Sequence, residues 1–377
     1  MLNRTSDPEL IAGARNAIRV CLDVQPHERV TLITDEACHD IARALAAEIA
    51  AVGAECREFV LEQEAPRPLT AFPASIAENM ERSGVSIFAA RVQEHELGSR
   101  IAMIDIVNRR RMRHAHMVNI TRQIMMEGMR ADYAVVDRIS TRVLELVSRA
   151  RSVRATTPAG SDLTATINPG YRWIKTSGLI SPEKWGNLPG GEVFTTPGEV
   201  NGTLVVDGVV GDWLCDRYGL LRDAPLTLHI EGNRLVDARS ANKALETDFW
   251  TYTHTDENSD RVGEFAIGTN VELQHVIGHI LNLCHLIVMG QNDGIELFLE
   301  RDNFARERIQ PGGRLGLPQF TNAVHLRDID HGRRLSGPSH RVKRRRVRSR
   351  RGNAGLEGCA TSPRPPLNTP PEVHELF

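Results

Sequence analysis

Two glutamates stand in settings where a carboxylate can do chemistry. Glu192 lies in WGNLPGGEVFTTP (185–197), directly after Pro189-Gly190-Gly191 and ahead of a β-type run. A Gly-Gly turn lets the backbone approach a ligand or metal closely. A carboxylate emerging there can serve as a metal ligand or general base; the plainer alternative is a solvated turn glutamate. Glu264 lies in VGEFAIGTN (262–270), beside Val262, Phe265 and Ile267. An acid among β-formers is expected to be partly buried and paired, and metal coordination is one way to pair it. The alternative there is an edge-strand acid facing water.

The other polar clusters are weaker. HTDENSDR (254–261) is acidic but lacks the spacing of a calcium loop, and reads as a surface connection. Ser161 and Asp162 in AGSDLTATI read as turn-formers, with no GxSxG around them. His275 and His279 stand one helical turn apart in HVIGH, but the glutamate that follows the first histidine in HExxH is missing. His114 and His116 alternate along a β-type run and read as structural. After the first such run comes TDEACHD, with acids where a phosphate cradle needs glycines, which argues against a nucleotide site.

These residues need a scaffold, and the hydrophobic pattern supplies an α/β one. In residues 1–150, ERVTLIT (28–34), EFVLE (58–62), GVSIFAA (84–90) and HMVNI (116–120) read as strands. Asp7-Pro8 opens a helix, Ile41, Leu45, Ile49 and Val52 mark a second that ends at Gly53, and 128–150 reads as a long third. Strand–helix–strand order predicts a layered parallel sheet. Residues 151–282 change to short β-runs between Gly, Asn, Asp and Pro, predicting a mostly antiparallel β-rich domain that holds both glutamates. Within it, ALETDFW (244–250) and VELQHVIGHIL (271–281) read as helix. From 283 to 377 the periodicity dissolves. LIVMG (286–290) and GIELFLE (294–300) are the last β-like runs.

Composition divides the chain at the same place. The 377 residues carry a formal net charge of −2, yet from 301 onward 16 Arg or Lys stand against 7 Asp or Glu. RVKRRRVRSRR (341–351) is the densest run, and Phe320 is the sole aromatic between 305 and 376. Base stacking is therefore poorly served, and nucleic-acid binding is not expected despite the charge. No apolar run reaches 18 residues and no apolar leader opens the chain, so neither a membrane span nor export is expected. Six cysteines without CxxC spacing fit a reducing, cytoplasmic setting.

Several segments together resemble the aminopeptidase T / leucyl aminopeptidase family of two-metal metallopeptidases. They are MVNITRQIMMEGMRADY (117–133), TTPAGSDLTATI (156–167), WIKTSGLISPEKWGNLPGGEVFTTP (173–197), GTLVVDGVVGDWL (202–214) and YTHTDENSDRVGEFAIGTN (252–270). The resemblance implies residues 151–282 as the metal-site domain, Glu192 and Glu264 as metal ligands and catalytic carboxylates, two divalent ions (Zn, Co or Mn), peptide substrates cleaved at the N-terminus, and a homodimer. Such ions polarise a carbonyl and generate hydroxide near neutral pH. The family's later ligands are a histidine, a tyrosine and a His-x-Asp pair. Here the stand-ins are His285 in CHLIVMG and His325 with Asp328 in VHLRDIDHG, and no tyrosine follows Tyr252. The ring-cleaving, mononuclear iron dioxygenases of dihydroxypyridine breakdown are similar in architecture. The resemblance implies for them a histidine in place of Glu264 and no counterpart of Glu192, so the two carboxylates favour the peptidase. Simultaneous loss of motif, periodicity and charge balance near 283 predicts that the tail is not family sequence. An Arg-rich reading frame of a GC-rich gene, with 42 Arg to 4 Lys overall, would produce such text. A metal-poor, inactive remnant is the third reading.

Overall fold

A computed structural model describes residues 7–93 and 95–271, together with the backbone of three strands at 285–289, 295–298 and 323–327. All the described residues belong to one compact unit. Its first strands are β1 (Arg29–Thr34), β2 (Glu55–Val60), β3 (Val85–Ala89) and β4 (Arg113–His116). Next come β5 (Ser152–Thr156), β6 (Asp162–Ile167), β7 (Ile174–Thr176), β8 (Gly186–Asn187), β9 (Glu192–Thr195) and β10 (Pro197–Val206). The last are β11 (Leu226–Glu231), β12 (Arg234–Arg239), β13 (Val262–Gly268), β14 (His285–Met289), β15 (Ile295–Phe298) and β16 (Ala323–Arg327).

They make three sheets, one parallel and two antiparallel, which agrees with the α/β reading. The first is parallel, in the order β2-β1-β3-β4-β8. The second runs β12-β11-β10-β6-β5-β16 and the third β15-β14-β13-β9-β7, both antiparallel. The parallel sheet is covered on both faces, as such sheets must be. Val30, Leu32, Val85 and Ile87 pack toward the helix His39–Val52, and Ile33 and Phe88 toward the helices Ala74–Met80 and Leu97–Arg110. The second sheet buries one face only: Val153, Ala155, Leu163, Ala165, Leu204 and Leu228 join Leu245 and Phe249 of the helix Lys243–Tyr252 in one core.

Elements differ from the sequence reading at their ends. The helix expected at 128–150 spans Tyr133–Val147, because the Asp132 carboxylate accepts from the N–H groups of Ala134 and Val135 and fixes its start. The strand expected at 116–120 is Arg113–His116, and Asn119 beyond it takes a left-handed conformation (φ 54°). The helix read at 271–281 lies, but for Val271, outside the described residues, and so do His275 and His279. No helix among the described residues is long and apolar enough to cross a membrane.

Two polar clusters are built into the parallel sheet. At the carboxyl ends of β1 and β3, Arg67 is buried against Asp35 and Glu96. Its Nε donates to Glu96 (2.8 Å) and its Nη1 to Asp35 (3.3 Å) and Glu62 (3.1 Å). The remaining acceptor sites are met by backbone: Asp35 takes the N–H of Cys38 and Arg91, and Glu96 those of Leu69 and Gln93. Open α/β sheets ordinarily bind ligands in the crevice at this end. Here charged side chains already fill it.

The second cluster is a histidine chain. Ser86 Oγ lies 2.8 Å from His114 Nδ1, and His114 Nε2 lies 3.2 Å from His116 Nδ1. Trp185 presents an edge to both rings. Burial pushes His114 down to about 3, and burial, with His114 and Arg100 nearby, holds His116 well below its ordinary value. Both are neutral in the fold, whereas the unfolded chain protonates near 6.5. Between about pH 6.5 and 3 the unfolded state therefore binds more protons, and stability falls as pH falls. The expected slope is up to about 1.4 kcal/mol per pH unit for each ring. Urea unfolding from pH 7 to 4 checks it; His114→Asn should flatten the dependence, and an unchanged slope would show that His114 titrates normally.

Candidate functional site

The third sheet positions both glutamates singled out in the sequence. β9 pairs antiparallel with β13, Glu192 opposite Gly268 and Phe194 opposite Ala266. β7 flanks β9 on the other side, Thr176 opposite Glu192 and Ile174 opposite Phe194. Opposed residues share a face and successive residues alternate. One face therefore carries Thr176, Glu192, Gly268, Ile174, Phe194, Ala266 and Glu264. The other carries Lys175, Val193, Phe265, Ile267 and Thr269.

The second face is covered by the helix Tyr133–Val147 over β7 and β9, and at Phe265 and Ile267 by the core of the second sheet. Ser140 Oγ lies 2.6 Å from Thr269 Oγ1, and Lys175 Nζ donates to Asp137 (2.7 Å) and Thr141 (3.0 Å). Burial alone would raise the Asp137 carboxyl, but Lys175 and the Ser177 hydroxyl outweigh it and hold it below the usual range. The face with the glutamates is left half open. Glu192 is buried and accepts from Thr176 Oγ1 (3.2 Å); Glu264 and Phe194 are half-buried.

The turn before Glu192 is fixed by the turn after Glu264. The Gly191 carbonyl accepts from the N–H of Thr269 (2.6 Å) and Asn270 (3.2 Å), and Gly191 N–H donates to Thr176 O (2.7 Å). Asn270 Nδ2 donates to Gly190 O (3.1 Å). Gly191 has φ 135°, and a Cβ there would fall 2.6 Å from Asn270 Cβ. The two sequence motifs thus make one structural unit. Sequence alone did not reveal this, because their contact spans about eighty residues; nor did it single out Thr176, Phe194 or Asn270.

Glu192 and Glu264 sit four register positions apart, roughly 14 Å along the sheet at the level of the backbone. β14 begins at His285 and pairs with β13, but Val288 stands opposite Glu264, and His285 lies three residues away along β14. His325 lies in β16 opposite Arg154, in the second sheet and not the third. Asp328 lies outside the described residues. Among the described residues no three His, Cys, Asp or Glu side chains converge closely enough to hold a metal ion. The described donors alone therefore do not fit a complete metal centre, mononuclear or dinuclear. A cavity of about 370 Å³ lined by Val107, Arg111, Met112, Glu183 and Trp185 contains neither glutamate.

Solved structures share this fold. The 2,5-dihydroxypyridine dioxygenase from Pseudomonas putida KT2440 superposes with a TM-score of 0.51 at 15% identity, over 69% of this chain and 76% of that one. AmpT from Thermus thermophilus superposes with a TM-score of 0.51 at 17% identity, over 76% of this chain and 87% of that one. At these identities the likeness speaks to fold alone. No curated protein sequence matches the chain. The model of one family does, that of NicX, 2,5-dihydroxypyridine 5,6-dioxygenase, over residues 9–272.

That match overturns the expectation of a metallo-aminopeptidase, and with it the peptide-hydrolase reading of the site. The expectation rested on the carboxylate pair. The pair is present, but the family match covers the strands that carry it, so the two carboxylates do not mark peptide hydrolysis. The matched residues take in the whole parallel sheet and both glutamate-bearing strands, and the chain belongs to the 2,5-dihydroxypyridine 5,6-dioxygenase family.

Proposed function

We propose that the chain is an oxygen-dependent, ring-cleaving enzyme acting on a dihydroxylated pyridine. The observation that carries this reading is the family match across residues 9–272, which includes Glu192, Phe194 and Glu264. The proposal includes one ferrous ion in place of the two divalent ions expected from the sequence. It also keeps the homodimer, which rests on resemblance alone, and the cytoplasmic setting, which rests on cysteine usage. Since the described donors do not complete a metal set, no step is assigned to iron. What the half-open face offers is binding. Glu192, steadied by Thr176, and Glu264 present acceptors to the hydroxyl and ring N–H groups of such a substrate, as carboxylates do in charge-assisted hydrogen bonds.

The test is oxygen uptake by the purified full chain with 2,5-dihydroxypyridine and added ferrous iron under defined oxygen. The expected result is one O₂ consumed per ring lost, stopped by a chelator. Glu192→Gln should cost at least about tenfold in turnover, the scale of a removed metal-site or supporting group, with the unfolding midpoint little changed. No uptake at any ferrous concentration would overturn the proposal.

A further inference from the structure

The half-open face of the third sheet has an order that the two glutamates alone do not explain. Across β7, β9 and β13 it is built in rows. Thr176, Glu192 and Gly268 form one row, and Ile174, Phe194 and Ala266 the next. Glu264 stands two residues before Ala266 on β13, opposite Val288 of β14. Successive rows on one face lie about 7 Å apart. An apolar row centred on an aromatic ring is therefore bounded by a carboxylate row on either side.

Phe194 is the ring in that row, and it is half-buried where Val193 on the covered face is fully buried. Its cross-strand neighbour on β13 is Ala266, with Gly268 on one diagonal and Glu264 on the other; the smallest residues are Ala266 and Gly268. On the Gly268 side, therefore, nothing bulky from β13 stands against the Phe194 ring on this face. A dihydroxylated pyridine has the complementary distribution: a π face above and below, and hydrogen-bond donors around its edge. Aromatic faces attract one another when offset or edge-on, and ligand sites combine apolar walls with a few placed polar groups.

We propose that Phe194 is the platform on which the substrate's aromatic ring lies, with Glu192 and Glu264 bounding its polar edge, so that Phe194 sets the preference for a flat ring. This rests on the ring-cleaving reading above. Phe194 acts by binding and orientation. Its loss weakens affinity and raises KM, and leaves kcat at saturation little changed.

The experiment is calorimetric binding of 2,5-dihydroxypyridine to the full chain under nitrogen, with ferrous iron held constant, so that no turnover occurs. Phe194→Ala should weaken binding about tenfold, the combined effect of a lost aromatic contact and lost apolar area. Phe194→Tyr, which keeps the ring, should bind within about twofold of the parent. Phe194→Leu, which keeps apolar volume without a π face, should fall between them, and replaces the alanine variant if that one does not fold. Parent-like affinity in Phe194→Ala or Phe194→Leu would overturn the platform and leave the ring-cleaving reading standing. Failure of the parent chain itself to bind the pyridine would overturn both.

Discussion

Replacing Arg67 by Met is expected to destabilise the fold by about 3–5 kcal/mol, the cost of removing one partner of a buried charge cluster. The side chains of Arg67, Asp35 and Glu96 are 4%, 2% and 3% exposed, so water cannot take over the lost role. Methionine fills part of the volume but leaves two carboxylates facing each other without a cation. Lysine should rescue little, since a point charge cannot reproduce the fork that reaches Glu96, Asp35 and Glu62 together. The acid side of the stability curve should change as well. Burial by itself raises the Glu96 carboxyl, but Arg67 and the N–H groups of Leu69 and Gln93 prevail and hold it below 4.5. That contribution is complete above about 4.5 and disappears as pH falls through the lower folded value. In Arg67→Met it should be absent. Denaturant unfolding at pH 7 and pH 4 measures both effects. Removing the exposed Arg154–Asp162 pair serves as the control and should leave the midpoint unchanged. A loss under 1 kcal/mol for Arg67→Met would show that the cluster is solvated.

The second large effect is expected at Gly191. Alanine there must adopt a φ near 135° or push Asn270 away, since its Cβ would fall 2.6 Å from Asn270 Cβ and 2.8 Å from Asn270 N. Strain and overpacking together are worth about 2–4 kcal/mol. Relief by movement would break the hydrogen bonds from Thr269 and Asn270 to the Gly191 carbonyl. It would also shift Glu192, the next residue. The variant should therefore unfold earlier and, at temperatures where it remains folded, consume oxygen at least about tenfold more slowly, as expected of a displaced site residue. Gly98→Ala is the matched control: nothing lies within 4 Å of its Cβ, it stands in the first turn of the helix Leu97–Arg110, and a small gain is expected. Full activity in Gly191→Ala would show that the turn does not set the position of Glu192.

Much of the scaffold was legible because its signals are local. Asp7 accepts from Glu9 N–H with Pro8 opening the first helix, and Gly53 takes the left-handed conformation that ends the second, as their residue types predict. β1 and β3 are unbroken β-rich runs between polar turns, and their bounds were read within about a residue. β4 was misplaced because Val118 and Ile120 look like strand residues. The chain has already left the sheet there: Asn119 is left-handed and its side chain accepts from Val92 N–H. The Arg67 cluster was invisible, since Asp35, Glu62 and Glu96 lie 5 to 32 residues from Arg67 and each reads singly as a surface charge. At the site, Glu192 and Glu264 were found from their immediate surroundings. Their common face, and Phe194 between them, depends on a pairing register that joins distant segments. The reaction was misread for a related reason: the segments that carry the glutamates build a sheet that both kinds of enzyme use, so text similarity there reports scaffold before chemistry. The family match ends at residue 272, shortly before the break read at 283.

The passage from β8 to β9 has a consequence for how this gene can drift. Asn187 is paired to His116 in the parallel sheet, and Leu188 N–H still donates to the His116 carbonyl. Only Pro189, Gly190 and Gly191 then separate that anchor from Glu192, already in register with Gly268 in another sheet. Both ends are pinned by ladders, so the connection has no slack. One codon gained or lost there would turn Glu192 and Phe194 toward the helix Tyr133–Val147 and bring Val193 to the open face. Side chains in this stretch are free to vary where geometry allows, but its length is not.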